Sequence, residues 1–219
     1  MSTKLPTIRR VPDDLWLEIA PILGKEKEAG TKGRPPVPFR EVLDGILYVL
    51  RTGCQWKALP REYGPGSTCH RRFQQWVREG AFERLWAKLL NRYDDIRGIG
   101  WKWQSLDSST VKSPLGGTIR RVKTLLIVRS YRRQETHPHG PEGGTPLSAV
   151  ISGANVHDMK TLEETLDSIA IKRPRPVFYH PQHLCLDKGY DFPEIERAVV
   201  KRDYVPHIRH RGERISMTW

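Results

Sequence analysis

Apolar residues recur three and four positions apart through the first hundred residues, which is the spacing of one face of an α-helix. The pattern predicts four helices, at residues 11–23, 39–50, 69–79 and 82–93. The clearest of them carries its apolar side chains on one face: Phe39, Val42, Leu43, Ile46, Leu47 and Leu50. We expect Gly53 to end this helix, and Ser67 or Thr68 to cap the next one.

The third predicted helix separates an apolar stripe from a group of polar side chains. The stripe consists of Phe73, Trp76 and Val77, and the polar group of Arg71, Arg72 and Gln75. Arginine and glutamine are side chains that bind base edges in the major groove of DNA. With a tight turn before the helix, the pattern is compatible with a helix-turn-helix whose polar group contacts DNA. The alternative is an ordinary helical bundle whose polar faces are basic.

Beyond Gly98 the pattern changes to alternating strands and helices. Strand-like apolar runs lie at residues 101–112, 147–155, 183–187 and 204–208, and amphipathic helices at 157–169 and 192–202. Such alternation predicts a mixed α/β sheet. We therefore expect an α+β protein with a helical, helix-turn-helix-like DNA-binding domain over residues 1–97 and an α/β domain over residues 98–219.

The charge balance adds a class of partner to this picture. The chain has 37 Lys and Arg against 25 Asp and Glu, which gives a net charge of +12. A basic surface attracts polyanions, and nucleic acid is the commonest of them. The alternative is a basic protein without such a partner, since charge alone says nothing about chemistry.

Other features exclude several classes of protein. No apolar run approaches the roughly 18 residues of a membrane span, and the first residues lack the apolar segment of a secretory signal. The cysteines Cys54, Cys69 and Cys185 form no C-x-x-C pair, so we expect neither a disulfide framework nor a zinc ribbon. These features predict a cytoplasmic protein with reduced thiols, and the DNA binding expected from its charge would make it nucleoid-associated.

Two carboxylates stand out as candidate chemistry. Asp107 and Asp187 each end an apolar strand-like run and are followed by small or polar residues. Carboxylates at the ends of neighbouring strands can together hold divalent metal ions such as Mg²⁺. The alternative is that each aspartate only caps a turn.

Four segments resemble a known family. The stretch CQWKALPREYGPGSTCHRRFQQWVREGAFERLWAKL resembles the N-terminal helical domain of insertion-sequence transposases of the IS5 group. SLDSSTVKSPLGG resembles the segment that bears the first catalytic aspartate of that family. PLSAVISGANVHDMKTLEETLD and LCLDKGYDFPEIE resemble its central strand and helix and the segment of the second aspartate.

The resemblance implies an RNase H-like catalytic domain with an Asp-Asp-Glu triad. Asp107 corresponds to the first aspartate and Asp187 to the second, and both are expected to hold Mg²⁺ or Mn²⁺. The implied reaction is the cutting and joining of DNA, and the implied partner is double-stranded DNA at the terminal inverted repeats. A second copy of the chain, in a homodimer, is a further implied partner.

The chain departs from the family pattern in two places. Residues 118–144 match neither family motif expected there, so they are either translated out of frame or a divergent insertion, and we expect them to be the least ordered part. Nothing after Glu213 matches the basic helix that carries the third acidic residue. We therefore expect a transposase truncated before that residue and inactive. The alternatives are a non-catalytic regulator of transposition that binds DNA, and a helix-turn-helix transcription factor.

Overall fold

The computed structural model describes residues 10–26, 35–111, 123–131, 144–153 and 159–210. The chain divides into two compact units, Met1–Leu89 and Leu90–Trp219. Within the described ranges, no helix is long and apolar enough to cross a membrane.

The first unit is helical, as the apolar spacing predicts. Helix α1 (Asp13–Ile19) continues into a 3-10 turn, and α2 (Phe39–Thr52) and α3 (Gly66–Arg78) follow; α4 (Ala81–Arg97) begins in this unit and ends in the second. Gly53 ends α2 in the left-handed conformation, with φ of 67°, as expected. The predicted cap of α3 is wrong: Pro65 is the N-cap, and its carbonyl oxygen accepts hydrogen bonds from the N–H groups of Thr68 and Cys69 at 2.9 and 3.1 Å.

Trp76 of α3 is the centre of the helical core. It is fully buried, its indole N–H donates to the carbonyl oxygen of Leu23 at 3.2 Å, and its ring meets Phe39 edge to face. Cys69 is also fully buried, whereas Val77 is 47% exposed. Placing Val77 in the apolar stripe was therefore wrong, because the inward face of α3 runs through Cys69 and Trp76 instead.

The connection between α2 and α3 is not the tight turn that the sequence suggested. Residues 53–65 join the two helices and contain two 3-10 turns, Trp56–Ala58 and Arg61–Tyr63. A helix-turn-helix uses a turn of about three to four residues. The longer connection is held to α3 by Trp56, whose ring stacks on His70 at a centroid distance of 5.0 Å.

The second unit is built on a five-stranded sheet in the order β3-β2-β1-β4-β5. The strands are β1 (Trp103–Val111), β2 (Lys123–Tyr131), β3 (Thr145–Gly153), β4 (His183–Leu186) and β5 (Val205–Ile208). Strand β2 runs antiparallel to β1 and β3, while β4 runs parallel to β1 and β5. Besides the end of α4, the described residues of this unit form the helices α5 (Met159–Asp167) and α6 (Pro193–Val200). The predicted α+β class, N-terminal helices followed by a mixed α/β sheet, is confirmed.

Strand β2 lies inside the interval from which no strand was expected. It pairs with β1 along its whole length, from Lys123 opposite Val111 to Tyr131 opposite Trp103. Residues 118–144 were expected to be the least ordered part, without a strand of the sheet, and the absence of a strand was wrong for residues 123–131; the rest of that interval, apart from Gly144, lies outside the described residues. The consecutive apolar residues 125–128 are typical of a buried strand and were the available signal.

The two faces of the sheet differ in burial. Gln104 and Leu106 of β1 are buried on one face, together with Leu184 and Leu186 of β4. The intervening residues of both strands lie on the other face, where burial is lower. We call this second face the open face.

Aromatic rings line one end of the open face. Trp103 of β1 stacks on His183 of β4, with ring centroids 4.2 Å apart and planes at 18°. His183 Nδ1 also lies 2.8 Å from His207 Nε2 on β5. Desolvation, with smaller effects of His207 and Lys102, lowers the pKa of His183.

The close approach of α3 to Trp56 gives a test of the helical unit. A Cβ atom at Gly66 would overlap the carbonyl oxygen of Trp56. Alanine normally favours a helix over glycine by about 1 kcal/mol, yet we expect Gly66→Ala to lower the free energy of unfolding by about 1–3 kcal/mol. Urea unfolding followed by tryptophan fluorescence measures this change. Ser67→Ala is the matched control, with an expected effect within about 0.5 kcal/mol; a larger loss there would restore the capping role of Ser67.

The low pKa of His183 predicts a pH dependence of stability. Below about pH 6.5 the unfolded chain takes up a proton at this histidine that the folded chain resists. We therefore expect the free energy of unfolding to fall as the pH drops through this range. His183→Phe preserves a ring against Trp103 and should reduce the dependence, whereas His180→Phe in an exposed loop should preserve it. Denaturant unfolding at about pH 5 and pH 8 measures both, and equal slopes in the two variants would contradict the assignment.

Candidate functional site

The pairing of β1 with β4 determines where the two candidate aspartates lie. These parallel strands are in register with Trp103 opposite His183 and Ser105 opposite Cys185. Two residues beyond Ser105 and Cys185, the same register leads to Asp107 and Asp187. Neighbouring strands are about 4.8 Å apart, so the backbones of the two aspartates lie side by side on adjacent strands. Asp187 directly follows β4, as expected, whereas Asp107 is in the middle of β1, so placing it at a strand end was wrong: β1 continues to Val111 because it pairs with β2.

Both aspartates also belong to the open face. Asp107 is two and four residues beyond Ser105 and Trp103 in the same strand, and side chains two apart in a strand share a face. Asp187 follows β4 with an extended backbone (φ −73°, ψ 171°), so the alternation that places His183 on this face continues to it. Both aspartates are exposed. Solvent and cations can therefore reach both carboxylates.

Asp187 has a defined local environment. Its Oδ1 accepts a hydrogen bond from the N–H of Gly189 at 2.8 Å and so caps the 3-10 turn Lys188–Tyr190. A Cβ atom at position 189 would lie 2.9 Å from that same oxygen, so glycine permits the close approach. The capping role considered for this aspartate is thus present in the structure, and the turn orients its carboxylate.

The donor set at this edge suits a hard cation. Carboxylate oxygens are the ligands that Mg²⁺ prefers, and one or two of them with water commonly suffice to bind it. Within the described residues, no group of three or more His, Cys, Asp or Glu side chains could hold a metal ion. Asp107 and Asp187 are thus a pair of carboxylates on adjacent strands and belong to no larger group of this kind.

Helix α3 offers a second candidate surface. Ser67, Arg71, Gln74 and Arg78 are exposed and follow one another at spacings of four, three and four residues, so they form a single helical face. This exposed α3 face is opposite the buried Trp76. Gln74 and Arg78 were missed by the sequence analysis, although the spacing from Trp76 could have indicated them.

The other two predicted DNA contacts of α3 have partners within the chain. The Arg72 guanidinium donates to Gln75 Oε1 at 2.6 Å and lies 4.7 Å from the centre of the Phe39 ring. Gln75 in turn donates to Glu79 Oε1 at 2.7 Å. Both residues are half-buried, whereas Arg71 is exposed. The structure therefore brings Arg72 and Gln75 together and places Arg71 apart from them.

Two transposase families match this chain. The family described as "Putative transposase of IS4/5 family" matches residues 11–86, and the family described as "Transposase DDE domain" matches residues 138–215. The second match includes Asp187 and begins after Asp107. One match therefore lies in each compact unit.

Curated relatives come from insertion elements. The "Insertion element IS402 uncharacterized 16.2 kDa protein" of Burkholderia cepacia is 39% identical over 107 residues, which is 47% of this chain and 73% of the relative. The "Uncharacterized protein y4sN" of Sinorhizobium fredii is 29% identical over 103 residues, 46% of this chain and 74% of the relative. The "Putative transposase for insertion sequence element IS402" of Burkholderia cepacia is 35% identical over 77 residues, 31% of this chain and 33% of the relative.

A solved structure is also similar, at a low level. The crystal structure of the Mos1 mariner paired end complex with Mn aligns with 90% of this chain and 68% of its own, at a TM-score of 0.32 and 10% identity. This level of similarity supports no inference about the site. The family matches and the IS402 relative at 39% identity, in contrast, establish the relationship: the chain belongs to the IS4/IS5-like family of DDE transposases.

Proposed function

We propose that this chain binds the terminal inverted repeats of an insertion sequence and that its sheet unit derives from a domain that cuts and joins DNA. Residues 1–97 would form the DNA-binding domain and residues 98–219 the catalytic domain. The observation that supports the catalytic part of the proposal is the parallel register of β1 and β4, which leads to Asp107 and Asp187 side by side on adjacent strands.

The exposed α3 face is the part of the helical domain that we assign to DNA. Arg71 and Arg78 lie about two turns apart, far enough to contact separate phosphates or bases. Gln74 lies between them, and its amide can form the bidentate hydrogen bonds by which glutamine binds adenine. Arg72 and Gln75 were predicted as direct contacts, and we now assign them a supporting role, because their hydrogen bond and the Phe39 contact hold them against the helix.

The catalytic domain belongs to a family that uses divalent metal ions. We propose that Asp107 and Asp187 are the residues that hold Mg²⁺ or Mn²⁺ in this chain. Bound there, such ions would activate the attacking oxygen and stabilise the leaving one. The hydrogen bond from Gly189 leaves Asp187 able to present its other carboxylate oxygen while its orientation stays fixed.

A non-catalytic regulator is the second candidate function. The resemblance assigns Asp107 and Asp187 to the triad and no residue of this sequence to its third acidic position. The described residues likewise offer a pair of carboxylates on adjacent strands rather than a group of three. We therefore propose that the 219-residue polypeptide binds transposon ends with little or no cutting, because charge stabilisation and positioning dominate phosphoryl transfer.

A homodimer would suit inverted repeats. Two repeats in opposite orientation present the same sequence to two copies of one protein, and twofold dimers match such symmetry. Light scattering of the chain with and without repeat DNA distinguishes a dimer from a monomer.

The exposed α3 face predicts the salt dependence of DNA binding. The probe is a duplex that carries the inverted repeats flanking the gene. Arg71→Ala and Arg78→Ala should each reduce the slope of log K against log salt by about one, whereas Gln74→Ala should relax the preference for repeat over random duplex. Fluorescence anisotropy across a potassium chloride series measures both. Arg61→Ala, on an exposed 3-10 turn, is the control and should change neither quantity; if the α3 variants behave as that control does, the face is misassigned.

The aspartate pair predicts metal binding without robust cutting. Asp107→Asn and Asp187→Asn should each weaken Mn²⁺ binding by at least about tenfold, measured by isothermal titration, while Asp95→Asn on the surface of α4 should leave it unchanged. In Mg²⁺ or Mn²⁺ the purified chain should cut repeat DNA no faster than its Asp107→Ala variant. Robust cutting that this substitution abolishes would show that another acidic group completes the site.

A further inference from the structure

Two large aromatic side chains stand out on the surface of the sheet unit. Phe178 is 90% exposed and Tyr179 is 84% exposed, although aromatic residues are usually at least partly buried in folded domains. They occupy the tip of a turn between α5 and β4, which we call the aromatic turn (residues 177–180). Their rings meet edge to face at a centroid distance of 5.2 Å. A contiguous exposed aromatic surface of this kind marks a binding site.

The aromatic turn is closed by backbone hydrogen bonds. The N–H of His180 donates to the carbonyl oxygen of Val177 at 2.8 Å, and the reciprocal bond measures 3.4 Å. Pro176 and Pro181 flank the turn and restrict the backbone on both sides. The two rings are therefore presented on a short, constrained loop, so that binding a ligand orders little additional backbone.

The base of the same loop is anchored in the interior of the unit. The side-chain amide of Gln182 donates to the carbonyl oxygen of Pro174 at 2.9 Å and so ties the two arms of the loop together. Gln182 Oε1 accepts from the Arg173 guanidinium at 2.6 Å, and Gln182 is buried. This support lies away from the tip, which leaves both rings free to contact a ligand.

The charges around the aromatic turn select the class of ligand. Residues 171–182 include the basic residues Lys172, Arg173 and Arg175 and no acidic residue. Lys172 and Arg175 are exposed. A partner with negative charge and flat aromatic faces matches both features, because phosphates are attracted to the cations and bases stack on the rings. A purely apolar protein partner would leave the cations unused.

We propose that the aromatic turn is a stacking site for unpaired nucleobases of DNA. The base must be unpaired because a ring at the tip of a turn reaches a π-face only where the base stack is open. This inference rests on the proposed function, since it takes DNA as the ligand, and adds a second contact separate from the exposed α3 face.

The position of the turn relative to the aspartates defines which bases it could bind. The turn precedes β4 and Asp187 follows it, so the two lie at opposite ends of that strand. Four residues of strand span about 13 Å, which corresponds to a rise of about four nucleotides of duplex. The stacked base would thus lie several nucleotides from the scissile phosphate and hold opened DNA there.

Single-stranded probes with and without bases test the proposal. The complete chain should bind a 12-mer of thymidine at least about tenfold more tightly than a base-free strand with the same number of phosphates. Phe178→Leu/Tyr179→Leu keeps apolar side chains but removes the rings, and it should abolish this preference. Tyr93→Leu, which removes an exposed ring of α4, should retain it. Anisotropy titrations at one salt concentration compare the three proteins on both strands.

The repeat duplex and anionic lipid vesicles complete the test. The double variant should bind the duplex as the unsubstituted chain does, since that contact is assigned to α3. Three results would each overturn the proposal. The double variant could keep the preference for the strand with bases, or it could lose as much affinity for the duplex as for the thymidine strand. Binding to the vesicles could also depend on the two rings. If the unsubstituted chain binds the duplex but shows no preference for bases, this inference fails alone. If the unsubstituted chain binds neither the duplex nor the thymidine strand, the proposed function fails together with this inference.

Discussion

The parallel pairing of β1 with β4 is the constraint on which the arrangement of the sheet unit depends, and a buried polar network stabilises it. Gln104 of β1 is fully buried, accepts a hydrogen bond from the Tyr204 hydroxyl at 2.8 Å and donates to the carbonyl oxygen of Trp101 at 3.0 Å. Burial raises the pKa of Tyr204, so its hydroxyl stays a donor. The Arg173 guanidinium lies 3.5 Å from the centre of that ring and binds Gln182. Because buried polar groups without partners are costly, any other register of these strands would be penalised.

The register in turn decides whether Asp107 and Asp187 lie next to each other on the same face of the sheet. A slip of one residue between β1 and β4 would send one aspartate to the buried face, and a slip of two would separate the pair along the strands. The Trp103–His183 stack on the open face depends on the same register. The hydrogen bond from the Gly189 N–H to Asp187 also orients this carboxylate, independently of the sheet. The pairing of distant strands thus positions the two candidate aspartates, and the short turn after β4 fixes the orientation of the Asp187 carboxylate.

In the helical unit one helix serves both the core and the proposed DNA surface. Trp76 and Cys69 of α3 bury one face, and its opposite face presents Arg71, Gln74 and Arg78. Arg72 and Gln75 lie between the two faces, and their mutual hydrogen bond and the contact with Phe39 make them part of the support. The packing of Trp76 therefore sets the rotation of the whole helix and determines which of its polar side chains reach outward.

The sequence by itself determined the local features of the described residues: the helices of the first unit, the end of α2 at Gly53, four of the five strands and the position of Asp187 directly after β4. The spacing of apolar residues and the conformational freedom of glycine affect structure over a few residues, so their effects can be predicted from the sequence. Only the tertiary structure decided that the strand at residues 123–131 lies between β1 and β3, that Val77 is exposed, and that Arg72 and Gln75 bind each other. These outcomes depend on which distant groups pack together. The burial of a side chain depends on surfaces supplied from elsewhere in the chain, and no local pattern contains them.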